Sequence, residues 1–294
     1  MSDAYNGLVT LLLRMEGVNG SPYFRDDSNF PKIVTVNGNA AISTAQSKWG
    51  YGSGYFDGSG DFLTIPASAA FNIGTGDFTF ESWVYIAGNS PPNGNNARDA
   101  YVFRLDGDIT HLIKIVGSAS TTGTGFGIWD GSHWGGVYVT ISQNAWHHLA
   151  QSRKNGVVYS FLDGNAVGSG YNYAYSLGVS NKTLYVGGCD VAGWNRTLNG
   201  YIQDMRLTLA GRYISSFTPP SRLENPANPL NLSLTTQYYD ASGGYWIKGS
   251  VDELGVAGSY RVRLFERRTG RCVRETWSAA DGSYSFPYLA YRDQ

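Results

Sequence analysis

The chain has 294 residues, of which 42 % are hydrophobic and only 15 % charged, with 38 glycines and 21 tyrosines. Its formal net charge of −1 excludes the strongly positive field that non-specific nucleic-acid binding needs. The two cysteines form neither a disulfide framework nor a metal-binding spacing. The N-terminal MSDAYNGLVTLLLRMEG has an apolar run too short for a signal peptide or a membrane span, so we expect no signal peptide, no membrane insertion and folding in a cytoplasm.

Short segments rich in β-branched and aromatic residues recur along the chain, each bounded by Gly, Asn, Asp or Pro. In chain order they are VTLLLRM, FLTIP, DFTFESWVYI, AYVFRL, HLIKIV, GFGIWD, GVYVTI, WHHLAQSR, GVVYSFLDG, TLYVGG and YIQDMRLTL. No segment of about 12 residues keeps a helical period. The pattern predicts an all-β fold, a sandwich or jelly roll.

Two of these segments allow a more detailed prediction. GVVYSFLDGNAVG predicts a hairpin that turns at Asp163 and Gly164. In WHHLAQSR, side-chain alternation along a strand puts Trp146 and His148 on one face and His147 and Leu149 on the other. The two adjacent histidines then point apart, so they cannot converge on one metal ion.

The composition changes at FTPPSRLENPANPLN, where four prolines fall among polar residues. We expect one domain over residues 1–222, a Pro-rich linker over 223–231 and a second β domain over 232–294. In the second domain, RVRLFERR alternates as a half-buried strand, and a Thr-Gly turn joins it to RCVRETW. Its arginines are interpreted as a solvated face.

The ordered series GYGSGYFDGSGDFLTIPAS, GDFTFESWVYI, AWHHLAQSRKNGVVYSFLDGNAVG and TLYVGG resembles the concanavalin A-like, laminin-G-like jelly roll over roughly residues 5–223. The ending GYIQDMRLTLAGRYISSFTPP is similar to the version found in bacteriophage virion proteins. The second domain resembles the carboxypeptidase-regulatory-like, transthyretin-like sandwich. The resemblance implies an all-β fold: a jelly roll followed by a small immunoglobulin- or transthyretin-like β-sandwich.

An enzyme of this fold class would need catalytic residues, and a pair of carboxylates is the first set to look for. Glycoside hydrolases use two carboxyl groups roughly 5–10 Å apart. Glu81 is alone on its predicted strand, and the adjacent Asp252 and Glu253 face opposite ways. The sequence has no G-x-S-x-G, H-E-x-x-H or phosphate-loop motif, although a Ser-His-Asp triad assembled by the fold stays open. We therefore predict a non-enzymatic protein.

Two Gly-rich stretches, GFGIWDGSHWGGVY and GSGYNYAYSLG, carry aromatic and polar groups suited to sugar recognition on loops or sheet edges. The candidate carbohydrate-binding residues are Trp129, Asp130, His133, Trp134, Tyr138, Tyr171, Asn172, Tyr173 and Tyr175. The alternative is that these rings pack the sandwich or line a subunit interface.

Calcium is implied by the resemblance, because domains of this fold often hold one calcium ion. The resemblance points to Glu16, at the end of the first strand, and to Asp204, in the last strand of the jelly roll. Calcium prefers several convergent oxygen ligands. The alternative is that both are ordinary acids of the protein surface.

The resemblance leads to a functional hypothesis: a phage virion component of the tail, such as a fibre, tip or tube decoration, assembled in the host cytoplasm. Its jelly roll would contact host surface polysaccharide, and its small domain, which ends early for its type, would dock on or be completed by another virion subunit. A homotrimer is expected by analogy. The alternatives are a capsid decoration protein, a free carbohydrate-binding protein and a glycoside hydrolase.

Overall fold

The structure is a computed structural model. It describes residues 5–29, 31–88, 100–105, 110–115, 125–130, 132–177, 182–191, 194–220, 230–239, 245–253, 256–257, 261–265, 272–277, 279–280 and 283–289. The chain divides into two compact units, Met1–Pro226 and Ala227–Gln294. The linker predicted over 223–231 lies outside the described residues except for its last two, which begin a strand. No helix in the described ranges is long and apolar enough to cross a membrane.

Short strands make up the first unit, together with the single-turn 3-10 helices Asn6–Leu8 and Ala69–Phe71. The strands are β1 (Val9–Leu13), β2 (Thr35–Asn37), β3 (Ala41–Ser43), β4 (Ser53–Asp57), β5 (Phe62–Ile65), β6 (Phe78–Ile86), β7 (Ala100–Leu105), β8 (Thr110–Ile115), β9 (Phe126–Asp130), β10 (Trp134–Val137), β11 (Trp146–Lys154), β12 (Val157–Leu162), β13 (Asn165–Asn172), β14 (Leu184–Val186), β15 (Asp190–Val191), β16 (Trp194–Asn195) and β17 (Asn199–Thr208).

Two large antiparallel sheets contain most of these strands. The first has the order β13-β12-β11-β6-β17-β4-β3, and β1 also pairs with β17. The second has the order β10-β9-β8-β7-β14-β5-β2. Runs of consecutive strands pair in both sheets, but other paired strands are far apart along the chain: more than a hundred residues lie between β6 and β17. The predicted all-β sandwich is confirmed.

Aromatic and aliphatic side chains from both sheets form the core between them. Phe80 of β6 meets Phe103 of β7 at 4.5 Å between ring centroids, across the two sheets. Phe56 and Ile202 are fully buried in the same core. Strand alternation therefore turns the residues on either side of these positions toward the outer face of the first sheet.

The hairpin predicted at Asp163 and Gly164 is confirmed between β12 and β13. Both residues have positive φ, 51° and 78°, the combination that a two-residue turn of type I′ requires. A Cβ at position 164 would also approach the Phe217 carbonyl oxygen to 2.0 Å, so glycine is needed for packing as well as for the turn.

The second unit is also built of strands. Its elements are β18 (Leu230–Tyr239), β19 (Tyr245–Glu253), β20 (Val256–Ala257), β21 (Arg261–Phe265), β22 (Cys272–Trp277) and β23 (Ser283–Leu289). Strand β19 pairs with β18 on one edge and with β20 and β23 on the other, and β21 pairs with β22 as the predicted hairpin. The side chains of β21 and β22 lie outside the described part, and a transthyretin-like arrangement stays a prediction.

Candidate functional site

Four aromatic side chains lie side by side on the outer face of the first sheet. They are Tyr55, Tyr85, Trp146 and Tyr201, called the aromatic row below, and they belong to β4, β6, β11 and β17. Direct register pairs join them in the spatial order Trp146, Tyr85, Tyr201, Tyr55. The ring centroids are 5.7, 5.7 and 4.9 Å apart along this order, so neighbouring rings are in contact.

Every ring of the row is partly exposed. The next register pair on the same face is Asn199 and Asp57, and Asn39 donates a hydrogen bond to the Asp57 carboxylate at 3.4 Å. On the other side, Ser43 is hydrogen-bonded to Tyr201. Burial raises the pKa of Tyr201, so its hydroxyl is neutral at physiological pH and can both donate and accept. The row is thus an apolar strip with polar groups along both sides.

Other parts of the same outer face are covered by the chain itself. Trp83, two residues before Tyr85, lies under Trp49 at 5.6 Å between centroids and under the Lys48 amine at 4.2 Å from its ring. Tyr213 and Phe217 stack at 3.6 Å between ring centroids and cover the part of this face that contains Glu81 and His148. The outer face of β6 thus carries two aromatic residues: Trp83, which other residues cover, and Tyr85, which belongs to the aromatic row.

Glu81 lies beneath this covering segment and is fully buried. It receives hydrogen bonds from Arg206 Nη2 at 2.6 Å and from the Tyr213 hydroxyl at 3.1 Å, and His148 Nε2 is 3.3 Å away. Arg212 Nε lies 3.6 Å from the same carboxylate. Burial alone would raise the pKa of Glu81, but the two arginines and His148 hold it well below its usual range. These five residues are called the Glu81 network.

The two adjacent histidines point to opposite sides of β11, as alternation predicts. His148 belongs to the Glu81 network. His147 lies between Ser142 and Asp163: its Nε2 is hydrogen-bonded to Ser142 Oγ and its Nδ1 to Asp163 Oδ2, each at 2.8 Å. This is the order of side chains in a serine-hydrolase triad. It also ties the turn before β11 to the β12–β13 hairpin, where the backbone N–H of His148 donates to the other Asp163 oxygen at 2.8 Å.

The structure brings the two predicted carbohydrate-binding stretches together at the sheet edges formed by β10 and β13. His133 and Tyr175 stack at 3.5 Å between centroids, and the Tyr171 hydroxyl donates to the Gly135 carbonyl. Tyr173 is 2 % exposed and part of the core, which corrects its assignment to a ligand-binding surface. A buried ring cannot stack on a sugar, and here the rings pack on one another, as the packing alternative expects.

The other predicted carbohydrate-binding residues are Tyr138, Asn172, Trp129, Asp130 and Trp134. Tyr138 is 75 % exposed and Asn172 is exposed. Trp129 and Trp134 are register partners in the β9–β10 hairpin. The side chains of Trp129, Asp130 and Trp134 lie outside the part that the structure describes.

The predicted calcium ligands gain no support. Asp204 is fully buried with φ of 50°, and the Arg14 guanidinium, 3.8 Å from its carboxylate, already supplies a positive charge. Across the described ranges, no group of three or more His, Cys, Asp or Glu side chains could hold a metal ion. Glu16 and Asp204 as calcium ligands stay a prediction.

Sequence reasoning missed the aromatic row. The usable signal is an aromatic residue at an outward position in several predicted strands: Tyr85 beside the core residue Val84, Tyr201 beside Ile202, and Tyr55 beside Phe56. The period of two identifies such positions strand by strand. It does not say that these strands are neighbours.

The fold is similar to several solved structures of binding and enzyme domains. Domain 4 of AbnA, an arabinanase from Geobacillus stearothermophilus solved with arabinotriose, aligns with a TM-score of 0.50 at 19 % identity over 69 % of this chain and 93 % of that chain. The botulinum neurotoxin serotype D binding domain aligns with a TM-score of 0.54 at 12 % identity over 95 % of this chain and 71 % of that chain. The binding domain of Paraclostridial Mosquitocidal Protein 1 gives 0.53 at 10 % identity over 93 % and 76 %.

At these identities the likenesses show the fold alone. A comparison of the sequence with curated proteins finds no match. The Laminin_G_3 family model matches residues 57–208, which is more than half of the chain and includes Tyr85, Trp146 and Tyr201 of the aromatic row. The chain therefore belongs to the concanavalin A-like lectin/glucanases superfamily, in its Laminin_G_3 family.

Proposed function

We propose that the jelly roll is a non-enzymatic glycan-binding domain and that the aromatic row is its saccharide-contacting surface. The row itself is the observation that carries the proposal. The C–H groups on a sugar face pack on aromatic rings, while hydroxyls need amide, carboxylate or hydroxyl partners beside them. The rings of the row, with Asn199 and Asp57 on one side and Ser43 on the other, supply both kinds of contact.

The acids near the row support binding rather than bond cleavage. A general acid for glycoside hydrolysis needs a raised pKa, whereas the pKa of Glu81 is lowered and its carboxylate is sealed beneath Tyr213. Asp57 lies beside the row, and its carboxylate accepts a hydrogen bond from the Ser59 N–H at 2.7 Å. We therefore propose that the chain binds saccharides without cleaving them.

A glycan array followed by calorimetry on the bound saccharide tests this proposal. We expect Tyr85→Ala, in the middle of the row, to weaken binding at least about tenfold, which corresponds to about 1.4 kcal/mol. The matched control is Tyr138→Ala. It removes a more exposed tyrosine that follows β10 and lies outside the aromatic row, so the affinity should stay unchanged. The wild-type protein should release no reducing sugar from the bound glycan.

Two results would contradict the proposal. A protein that loses binding through Tyr138→Ala or Tyr175→Ala, but not through Tyr85→Ala, would place the site at the β10–β13 edge. Release of reducing sugar, or Ser142-dependent hydrolysis of a p-nitrophenyl ester, would show that the chain is an enzyme.

We also propose a setting for this activity: an accessory component of a phage tail, whose jelly roll faces the host surface and whose second unit attaches to another virion subunit. The support is the resemblance of GYIQDMRLTLAGRYISSFTPP to phage virion proteins. Immunogold electron microscopy of intact particles, with antibody to the jelly roll, should label tails. Label on heads would favour capsid decoration, and particles without label would favour a free carbohydrate-binding protein.

A further inference from the structure

We infer that the aromatic row holds one soluble polysaccharide chain, laid across the strands over about three sugar units, and not a crystalline polysaccharide face or a chain end. This inference rests on the proposed function and adds the class of ligand. It follows from three features of the row: the tilt of its rings, its length and its open end at β3.

The rings of the row are not coplanar. The interplanar angles are 59° between Trp146 and Tyr85, 82° between Tyr85 and Tyr201, and 36° between Tyr201 and Tyr55. A crystalline polysaccharide presents parallel sugar rings in one plane, so only coplanar aromatic faces contact it together. Tilted rings instead fit a single chain whose successive sugar rings turn relative to one another.

The length of the row sets the number of sugars. Neighbouring strands lie about 4.8 Å apart, so the three steps from Trp146 to Tyr55 span roughly 14 Å, the length of about three pyranose units. The pair of Asn199 and Asp57 runs parallel to this direction, two residues along each strand from Tyr201 and Tyr55. Hydroxyls along one side of the chain therefore face polar partners at more than one unit.

Among the described residues, the end of the row at β3 is open. The register partner of Tyr55 in β3 is Ala41, which is small and partly buried. Strand β3 is at the end of the described strand order of its sheet. A chain lying on Tyr55 can thus continue over Ala41 beyond the sheet, which favours recognition of internal segments.

Affinity electrophoresis of the full chain in gels that contain linear arabinan, xylan, mixed-linkage β-glucan or dextran identifies the bound polymer. Calorimetry then compares its oligosaccharides of one to six units. We expect affinity to rise at least about tenfold from one to three units and to change little from four to six. Crystalline cellulose and crystalline chitin should not retain the protein in a sedimentation assay.

Variants at the two ends of the row test its extent. Tyr55→Ala and Trp146→Ala should each weaken binding of the trisaccharide more than binding of the single sugar, and Tyr138→Ala should change neither. Equal affinity for one and three units, or retention on a crystalline polymer, would overturn the inference while leaving glycan binding intact. If none of the polymers binds and sedimentation instead shows self-association that Tyr85→Ala abolishes, the row is a protein interface and the proposed function fails as well.

Discussion

Replacing Glu81 by glutamine is expected to lower the free energy of unfolding by about 3–5 kcal/mol, the range measured when one partner of a buried ion pair is removed. The amide keeps the size of the side chain but not its charge. Arg206, 1 % exposed, and the neighbouring Arg212 then lose the carboxylate that compensates them. Urea unfolding followed by tryptophan fluorescence measures the change.

An exposed ion pair of the same sheet is the matched control. Lys154 Nζ lies 2.7 Å from Asp77, nearly the same distance as in the Arg206–Glu81 pair, but the lysine side chain is 46 % exposed. Solvent screens such a pair, so Lys154→Met should lower the free energy of unfolding much less than Glu81→Gln does. Similar losses in the two variants would show that burial does not set the strength of the Glu81 network.

The same network predicts a pH dependence. A carboxyl group whose pKa is lower in the folded than in the unfolded chain stabilises the fold above its unfolded pKa, and this contribution disappears as the pH falls through the folded value. The pKa of Glu81 lies below its usual 4.5, so the wild-type protein should lose stability as the pH falls below 4.5. Unfolding of Glu81→Gln should depend less on pH in that range.

Arg153→Ala is expected to cost at least about 3 kcal/mol, because it removes three hydrogen bonds from a buried charged donor, and a hydrogen bond that involves a charged group contributes about 1.5–3 kcal/mol. The guanidinium is fully buried and donates to the carbonyl oxygens of Gly74, Gly76 and Tyr175 at 2.6, 2.8 and 2.7 Å. It thereby holds the turn before β6 against the segment after β13. The alanine removes these three hydrogen bonds and opens a cavity.

The matched control for Arg153 is Arg25→Ala, since the Arg25 side chain is 81 % exposed and forms an ion pair with Asp27 at the protein surface. Thermal and urea unfolding measure the stability of both variants. Arg153→Lys keeps the positive charge but not the planar set of donors, so it shows how much of the stability comes from the hydrogen bonds and how much from the charge. Equal stability of Arg153→Ala and Arg25→Ala would refute the role assigned to the buried guanidinium.

Local chemistry accounts for the elements that could be predicted. Asp163 and Gly164 adopt positive φ at low cost, so the β12–β13 hairpin follows from residues next to one another. The opposite directions of His147 and His148 follow from the period of two in β11. The sandwich as a whole was predictable because strand segments and turn residues recur along the chain.

The candidate site could not be predicted in the same way. Glu81 stands alone on its strand, yet its partners Arg206, Arg212 and Tyr213 come from more than a hundred residues further along the chain. Tyr173 lies in a segment rich in polar and aromatic residues, yet Gly135 of β10 packs against its ring and helps to bury it. Burial depends on which segments meet, and no local pattern reports that.

Most of the longer strands, the tight turns, the face on which a strand residue lies and the absence of a large net charge follow from the sequence alone. Those properties depend on backbone sterics, on side-chain alternation and on counts of charged residues. The aromatic row, in contrast, depends on tertiary structure, because it requires β4, β17, β6 and β11 to be neighbours in register. Strand order is set by non-local hydrogen bonds and core packing, whose partners are far apart along the chain.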